Sequence, residues 1–220
     1  MKCSPVGRAG GADKCPRAIA VLLALLPSSV QAAPEPGPGT GFVWGVKAGA
    51  GGRYDDVRMC IATAPGVKGG AVAEVYLFAE VGRSGGVSAT INLPVMRPVL
   101  FGAAFKMLQL EPDISIDIHH AVSGSLDLVY GPRLGLSFHY GPDYRSGPKD
   151  PERGPSFFAV GPKLGVSVGL WIKGSRGIDY MIGINPYFVP LFVVDDAKFH
   201  DGIVIGGMLE GAIRFSGGGG

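Results

Sequence analysis

Leu108-Gln-Leu-Glu-Pro-Asp-Ile-Ser-Ile-Asp-Ile-His119 decides the fold class. Leu108, Leu110, Ile114, Ile116 and Ile118 fall on one side of this stretch. Gln109, Glu111, Asp113, Ser115, Asp117 and His119 fall on the other. A period of two is the mark of a strand whose two faces meet different surroundings. The same period recurs on both sides. Upstream, Phe42, Trp44, Val46, Ala48 and Ala50 alternate with Val43, Gly45, Lys47 and Gly49. Residues 71–82 set Ala73, Val75, Leu77, Ala79 and Val81 against Glu74, Tyr76, Phe78 and Glu80. Residues 87–95 set Val87, Ala89, Ile91 and Leu93 against Ser88, Thr90 and Asn92. Downstream, 125–140 sets Leu126, Leu128, Leu134, Leu136 and Phe138 against Asp127, Arg133, Ser137 and His139. Residues 156–172, 178–192 and 202–215 continue the pattern, which makes eight segments.

The connections differ in length. Residues 83–86, 120–124 and 173–177 are short turns, whereas 51–70, 96–107, 141–155 and 193–201 are longer loops. Short links at one end and long ones at the other are what an up-and-down membrane barrel shows. An even strand count places both termini at the short-turn end. The chain resembles the small eight-stranded outer-membrane barrels of the OmpA/OmpX type over residues 42–215. The resemblance implies an all-β fold: a closed antiparallel up-and-down eight-stranded transmembrane β-barrel. It also implies a bacterial outer-membrane address, contact with outer-membrane lipid, and delivery by the barrel-assembly machinery. Phe215 resembles the terminal aromatic presented to that machinery, although Ser216 and four glycines follow it.

Composition bounds the alternatives. The 220 residues hold 37 Gly, 46% apolar and only 17% charged residues, with a formal net charge of +2. Soluble domains average about 25% charged residues. No basic excess exists to neutralise phosphates, so nucleic-acid binding by bulk charge is excluded. Residues 1–32 read as a signal peptide. Lys2, Arg8, Lys14 and Arg17 precede the apolar run Ala18–Leu26, and Val30-Gln31-Ala32 offers a cleavage site. That run is too short for a membrane helix, which needs about 20 residues. Removing residues 1–32 takes those four cations and Asp13, leaving 16 Lys+Arg against 17 Asp+Glu. Cys60 is then the only cysteine, so no intrachain disulfide is expected in the mature chain. Residues 33–41 form a Pro/Gly linker and 216–220 a Gly-rich tail.

Alternation alone does not say which face meets water, because a soluble lipocalin-like carrier barrel would turn its apolar face inward. The less apolar face is rich in Gly, Ser and Ala, and between Phe157 and Trp171 its only charge is Lys163. Such a face suits a narrow filled lumen rather than a solvated exterior. The apolar face carries aromatics near both ends: Phe42, Trp44, Tyr180 and Phe215 at the short-turn end, and Phe138, Tyr140, Phe158 and Phe188 at the long-loop end. Two such bands form the aromatic girdle of a membrane barrel. Lys47, Glu74, Arg133, Lys163, Glu210 and Arg214 are then an internal ion network, since buried charges persist when paired. Eight strands enclose room for side chains and no open pore.

Prolines depart from this pattern. Pro132, Pro162 and Pro186 sit inside strands, where proline removes a ladder donor. Bulges at similar height near the outer rim account for them. A local gap admitting an apolar molecule sideways is the alternative. Gly131-Pro-Arg-Leu-Gly-Leu-Ser137 and Gly161-Pro-Lys-Leu-Gly-Val-Ser167 form an internal repeat. Residues 96–107, apolar for a loop, extend the third strand or form a short helix.

Catalytic chemistry is sparse. His119 and His120 lie beside Ser123, and Asp117 is a candidate to face Asp127 across the short turn. A hydrolase needs nucleophile, base and orienter together. Some barrels of this size modify lipid A, but their motifs are absent. Asp195, Asp196 and His200 lack a known metal-ligand spacing. No cofactor, metal or catalytic residue is expected. The expected role is non-enzymatic, structural, adhesive or binding, carried by long loops such as Gly141–Arg153. Lateral transport of an apolar molecule, a lipid A-modifying barrel enzyme and a secreted soluble carrier are the alternatives.

Overall fold

The computed structural model describes residues 42–55, 68–84, 86–105, 108–143, 154–195 and 198–216. The expected leader, the linker, Cys60, Asp196, residues 144–153 of the 141–155 loop and residues 217–220 lie outside the described residues. In chain order the elements are β1 (Val43–Asp55), β2 (Gly70–Ser84), β3 (Val87–Pro94), α1 (Met96–Phe105), β4 (Leu108–Leu110), β5 (Asp113–Ser123), β6 (Leu126–Asp143), β7 (Gly154–Lys173), β8 (Ile178–Asp195) and β9 (Lys198–Ser216).

Every pairing is antiparallel, and the ladder closes because β9 pairs with β1. β4 and β5 both pair with β6 and act as one stave. Pro112 interrupts this stave, yet the Leu136 N–H still donates to the Pro112 carbonyl at 3.0 Å. The result is an eight-stave barrel. Its stagger is visible in one circuit of paired residues: Val43, Glu80, Thr90, Ser115, Arg133, Gly165, Tyr187, Gly206 and then Arg53. The circuit leaves β1 at residue 43 and returns at residue 53. A stagger of ten on eight strands tilts them by roughly 40°.

The faces separate as the alternation requires. Outward positions from Trp44 to Tyr54, Ala73 to Val81, Val87 to Leu93, Leu108 to Ile118, Leu126 to Tyr140, Phe158 to Ile172, Ile178 to Val194 and Ile203 to Phe215 hold no Asp, Glu, Lys or Arg. Inward positions carry the charged side chains and most of the strand glycines. Gly206 shows why glycine is needed. It pairs with Tyr187, and a Cβ there would meet the ring at 2.5 Å from the hydroxyl oxygen and 2.8 Å from Cε1. Gly206→Val is therefore expected to destabilise the barrel by about 1–3 kcal/mol through overpacking. Urea unfolding in lipid vesicles measures it, and an unchanged midpoint would contradict this packing.

The structure corrects three expectations. First, Pro132, Pro162 and Pro186 are not bulges. Pairing on both sides of Pro162 keeps one register, Val160 to Phe192 and Leu164 to Phe188, which sets Pro162 opposite Pro190. The register shifts lie elsewhere, at Val81/Ser84, Ala121/Ser123 and Pro142/Asp143. All three prolines point outward, so each removes a donor from its seam without inserting a residue. Gly161 permits close approach beside this site, since a Cβ there would run into the Pro190 carbonyl. Second, 193–201 is not a long loop. β8 and β9 continue until Asp195 pairs with Lys198. Third, Asp117 does not face Asp127, which pairs with Ala121 instead.

The internal repeat has a structural meaning. Its two copies lie on β6 and β7 and pair with each other about a centre at Leu134 and Leu164. Arg133 stands opposite Gly165, and Lys163 opposite Gly135. Each copy supplies a long inward cation and leaves room for the other's.

Candidate functional site: the charged lumen

Alternation turns one residue in two toward the lumen, and the register brings complementary charges level. The six residues of the expected ion network, Lys47, Glu74, Arg133, Lys163, Glu210 and Arg214, are all buried. They fall into three tiers, of which Lys163 joins the middle and outer ones, its Nζ lying 3.3 Å from Asp113 and 3.9 Å from Glu111.

The middle tier centres on Arg133. Its Nε and Nη2 donate to Asp113 at 3.0 and 2.9 Å, and its Nη1 donates to Glu210 Oε1 at 2.7 Å. Asn185 Nδ2 also donates to Glu210, at 3.1 Å. Lys47 Nζ donates to Asn92 Oδ1 at 2.9 Å and stands 3.6 Å from Glu210. Asn92 Nδ2 then donates to Asp113 at 2.9 Å, and Lys163 Nζ at 3.3 Å. This tier ties β1, β3, β5, β6, β7, β8 and β9 together across the barrel. An arginine fork suits the centre because it serves two carboxylates in fixed geometry.

The tier at the short-turn end centres on Arg214, which is fully buried. It donates to Asp179 at 2.8 Å and to Glu80 at 3.2 Å, and its guanidinium lies 4.2 Å from the Trp171 ring centre. The outer tier centres on Glu111. Arg97 Nη2 donates to it at 3.0 Å, His139 Nε2 lies 3.0 Å away, and Arg53 stands 3.5 Å away. Arg97 Nε also donates to Glu74 at 2.8 Å. Glu74 accepts the Met96 and Arg97 N–H groups at 2.8 and 3.1 Å, capping the first turn of α1. A carboxylate is favourable at that helix end.

Arg97, Glu111, Arg53, Glu80 and Asp113 were not among the expected network residues. For Glu80, Glu111 and Asp113, inward facing was the available signal, whereas Arg53 fell in the expected 51–70 loop, of which β1 takes the first residues up to Asp55. Arg97 had none, because it enters from the connecting segment. An apolar cluster also went unforeseen: Val189, Leu191, Val193, Val204 and Ala159 are buried inside the barrel. Both faces of Phe188–Val194 are apolar, so alternation is silent there.

The expected girdle residues all lie on the outer wall. Trp44 packs on Phe215 with ring centres 4.8 Å apart at the short-turn end. Phe42 and Tyr180 are exposed at the same end. Phe138 meets Phe158 edge-on at 5.2 Å near the other end, where Tyr140 is exposed. Phe188 stands deeper, opposite Leu164 and Ile205. Phe192 and Phe199, 5.5 Å apart, stand further out on β8 and β9.

The arrangement offers little to a hydrolytic reaction. Ser88 Oγ lies 2.8 Å from His119 Nε2, and Glu80 approaches that same nitrogen at 3.5 Å. Ser137 and Glu111 likewise share His139 Nε2. A relay needs the nucleophile and the orienting carboxylate on different ring nitrogens. His120 is exposed at the short-turn end. Among the described residues no cluster of three His, Cys, Asp or Glu is arranged to hold a metal. A lumenal cavity of about 30 Å³ lies between Lys47, Phe78, Asp117, Trp171 and Glu210. That holds about two waters.

No protein-family model matches the chain, and no curated protein matches it. Among solved structures it is similar to Neisserial surface protein A, at 14% identity over 79% of this chain and 97% of that one, with a TM-score of 0.49. It is similar to a major outer membrane protein from Thermus thermophilus, at 13% identity over 79% and 99%, TM-score 0.38. Ail, the attachment invasion locus protein of Yersinia pestis, gives 13% over 80% and 100%, TM-score 0.36. The functional reading rests on the barrel's own wall and lumen.

Proposed function

We infer that the chain is a filled, non-conducting β-barrel of a bacterial outer membrane, with a non-enzymatic structural, adhesive or binding role carried by its long-loop end. One observation carries the reading. The wall presents no formal charge between its rims, while the charged side chains are packed within. Water favours the opposite arrangement, and soluble proteins rarely expose apolar patches beyond a few hundred Å². Lipid demands this one, together with a ladder that closes on itself. The lipocalin-like alternative needs an apolar lumen around a ligand and a polar outer wall, whereas here ion pairs cross the lumen beside a packed apolar cluster and the outer wall is apolar.

Three tiers of ion pairs cross the lumen, and the cavity between Lys47, Phe78 and Trp171 is about 30 Å³, which supports a filled, non-conducting barrel. In planar bilayers the protein is expected to give no discrete conductance steps, and steady porin-sized steps would overturn the filled-lumen reading. Replacing residues 144–153 by a Gly/Ser linker is expected to leave the barrel folded and to abolish adhesion of cells displaying it. Unchanged adhesion would assign that role elsewhere.

A further inference from the structure

Among the described residues, the strands leave the barrel wall incomplete at the long-loop end. β3 ends at Pro94, opposite Tyr76, and the last bond on that side is the Val95 N–H to the Val75 carbonyl at 2.8 Å. β2 continues outward from there to Gly70, paired with β1 alone. Across the gap, β4 pairs only with β6 among the described residues. Among the described residues, two strand edges therefore face each other with no strand between them. α1 packs against both β2 and β4. An uncovered edge is not tolerated in hydrocarbon.

α1 has the chemistry of a wall segment. Arg97 is its only charged residue, and Arg97 points into the lumen onto Glu74 and Glu111. Val99 and Leu100 are 66% and 53% exposed. The height is set by β4: Leu108 pairs with Tyr140 and Leu110 with Phe138, both of the outer aromatic band.

We propose that α1 is a helical stave of the barrel, with Val99 and Leu100 contacting membrane lipid at the level of the outer aromatic band. This deepens the outer-membrane reading and rests on it. Arg97 is the positioning residue that holds the helix in the gap. The partner is a lipid surface rather than a protein, because the exposed side chains are apolar and border the uncharged outward positions of β2, β4 and β6.

Spin labelling tests the placement. The full chain carrying Cys3→Ser, Cys15→Ser and Cys60→Ser is refolded in vesicles of dilauroyl phosphatidylcholine. Single cysteines at Val99, Leu100 or Leu134 carry a nitroxide, and heat-modifiable migration verifies that each variant folds. Collisions with oxygen, which partitions into lipid, are compared with collisions with a water-soluble nickel chelate. A several-fold oxygen excess at Leu134 and at either helix position supports the proposal. Oxygen excess at Leu134 with nickel excess at both helix positions overturns the stave and leaves the membrane reading intact. Helix labels shielded from both reagents indicate a protein cover and also overturn it. Nickel excess at all three positions overturns the membrane reading itself.

Discussion

Leu134→Arg is expected to destabilise the barrel by about 2–4 kcal/mol in lipid vesicles, the range for a cation on the lipid face near the midplane. Leu134 is 62% exposed and sits near the middle of β6, paired with Ile114 and Leu164. A water-facing position of that exposure would tolerate arginine within about 0.5 kcal/mol. The two readings of the wall therefore differ several-fold at one residue. Depth supplies the control. Val87 is also outward but lies beside the turn to β2, paired with Ser84 and Ile118. Val87→Arg should cost no more than about 1 kcal/mol, because the side chain reaches the interface. Urea unfolding of both variants in the same vesicles measures the difference, and equal costs would argue against a hydrocarbon midplane at Leu134.

Arg133→Met is expected to cost about 3–5 kcal/mol, the usual penalty for leaving buried charges without their partner. Asp113 would lose three short bonds from the guanidinium and Glu210 one. Lys163 and Lys47 approach the same carboxylates at 3.3 and 3.6 Å, and neither replaces the fork. Arg133→Lys should recover only part of the loss, since one ammonium cannot grip Asp113 with two nitrogens and reach Glu210 together. Combining Arg133→Met with Asp113→Asn and Glu210→Gln should recover most of it by removing the stranded charges. A silent Arg133→Met, measured by unfolding in vesicles, would mean that the middle tier adds nothing to stability.

The staves were legible because lipid and lumen impose opposite polarity on successive residues. Leu108–His119 shows this in twelve residues. Closure was legible too, from an even segment count and the need to satisfy every backbone group. Partner identity was not legible. That Arg133 meets Glu210 depends on a stagger of ten accumulated around eight staves, and no local pattern encodes it. A short helix over 96–107 was one of two expected outcomes, but the inward role of Arg97 and the helix's place in the wall were hidden for another reason. A short helix that fills a wall gap is apolar around most of its circumference, so no period of 3.6 stands out. The outer end of β8 was misread because Asp195-Asp-Ala is polar enough to suggest a loop. The strands nevertheless stay paired up to Asp195 and Lys198. The prolines suggested bulges because a ladder missing donors usually yields by inserting a residue. Here the flanking Gly161 allows close backbone approach, and the register is kept.

The most direct test of the central claim is to dilute the urea-unfolded protein into plain buffer and, separately, into buffer holding dilauroyl phosphatidylcholine vesicles, following circular dichroism and heat-modifiable migration. A β-rich, heat-modifiable species forming only with vesicles is the predicted result. The same β-rich monomer forming in plain buffer would contradict the claim that lipid covers the outer wall.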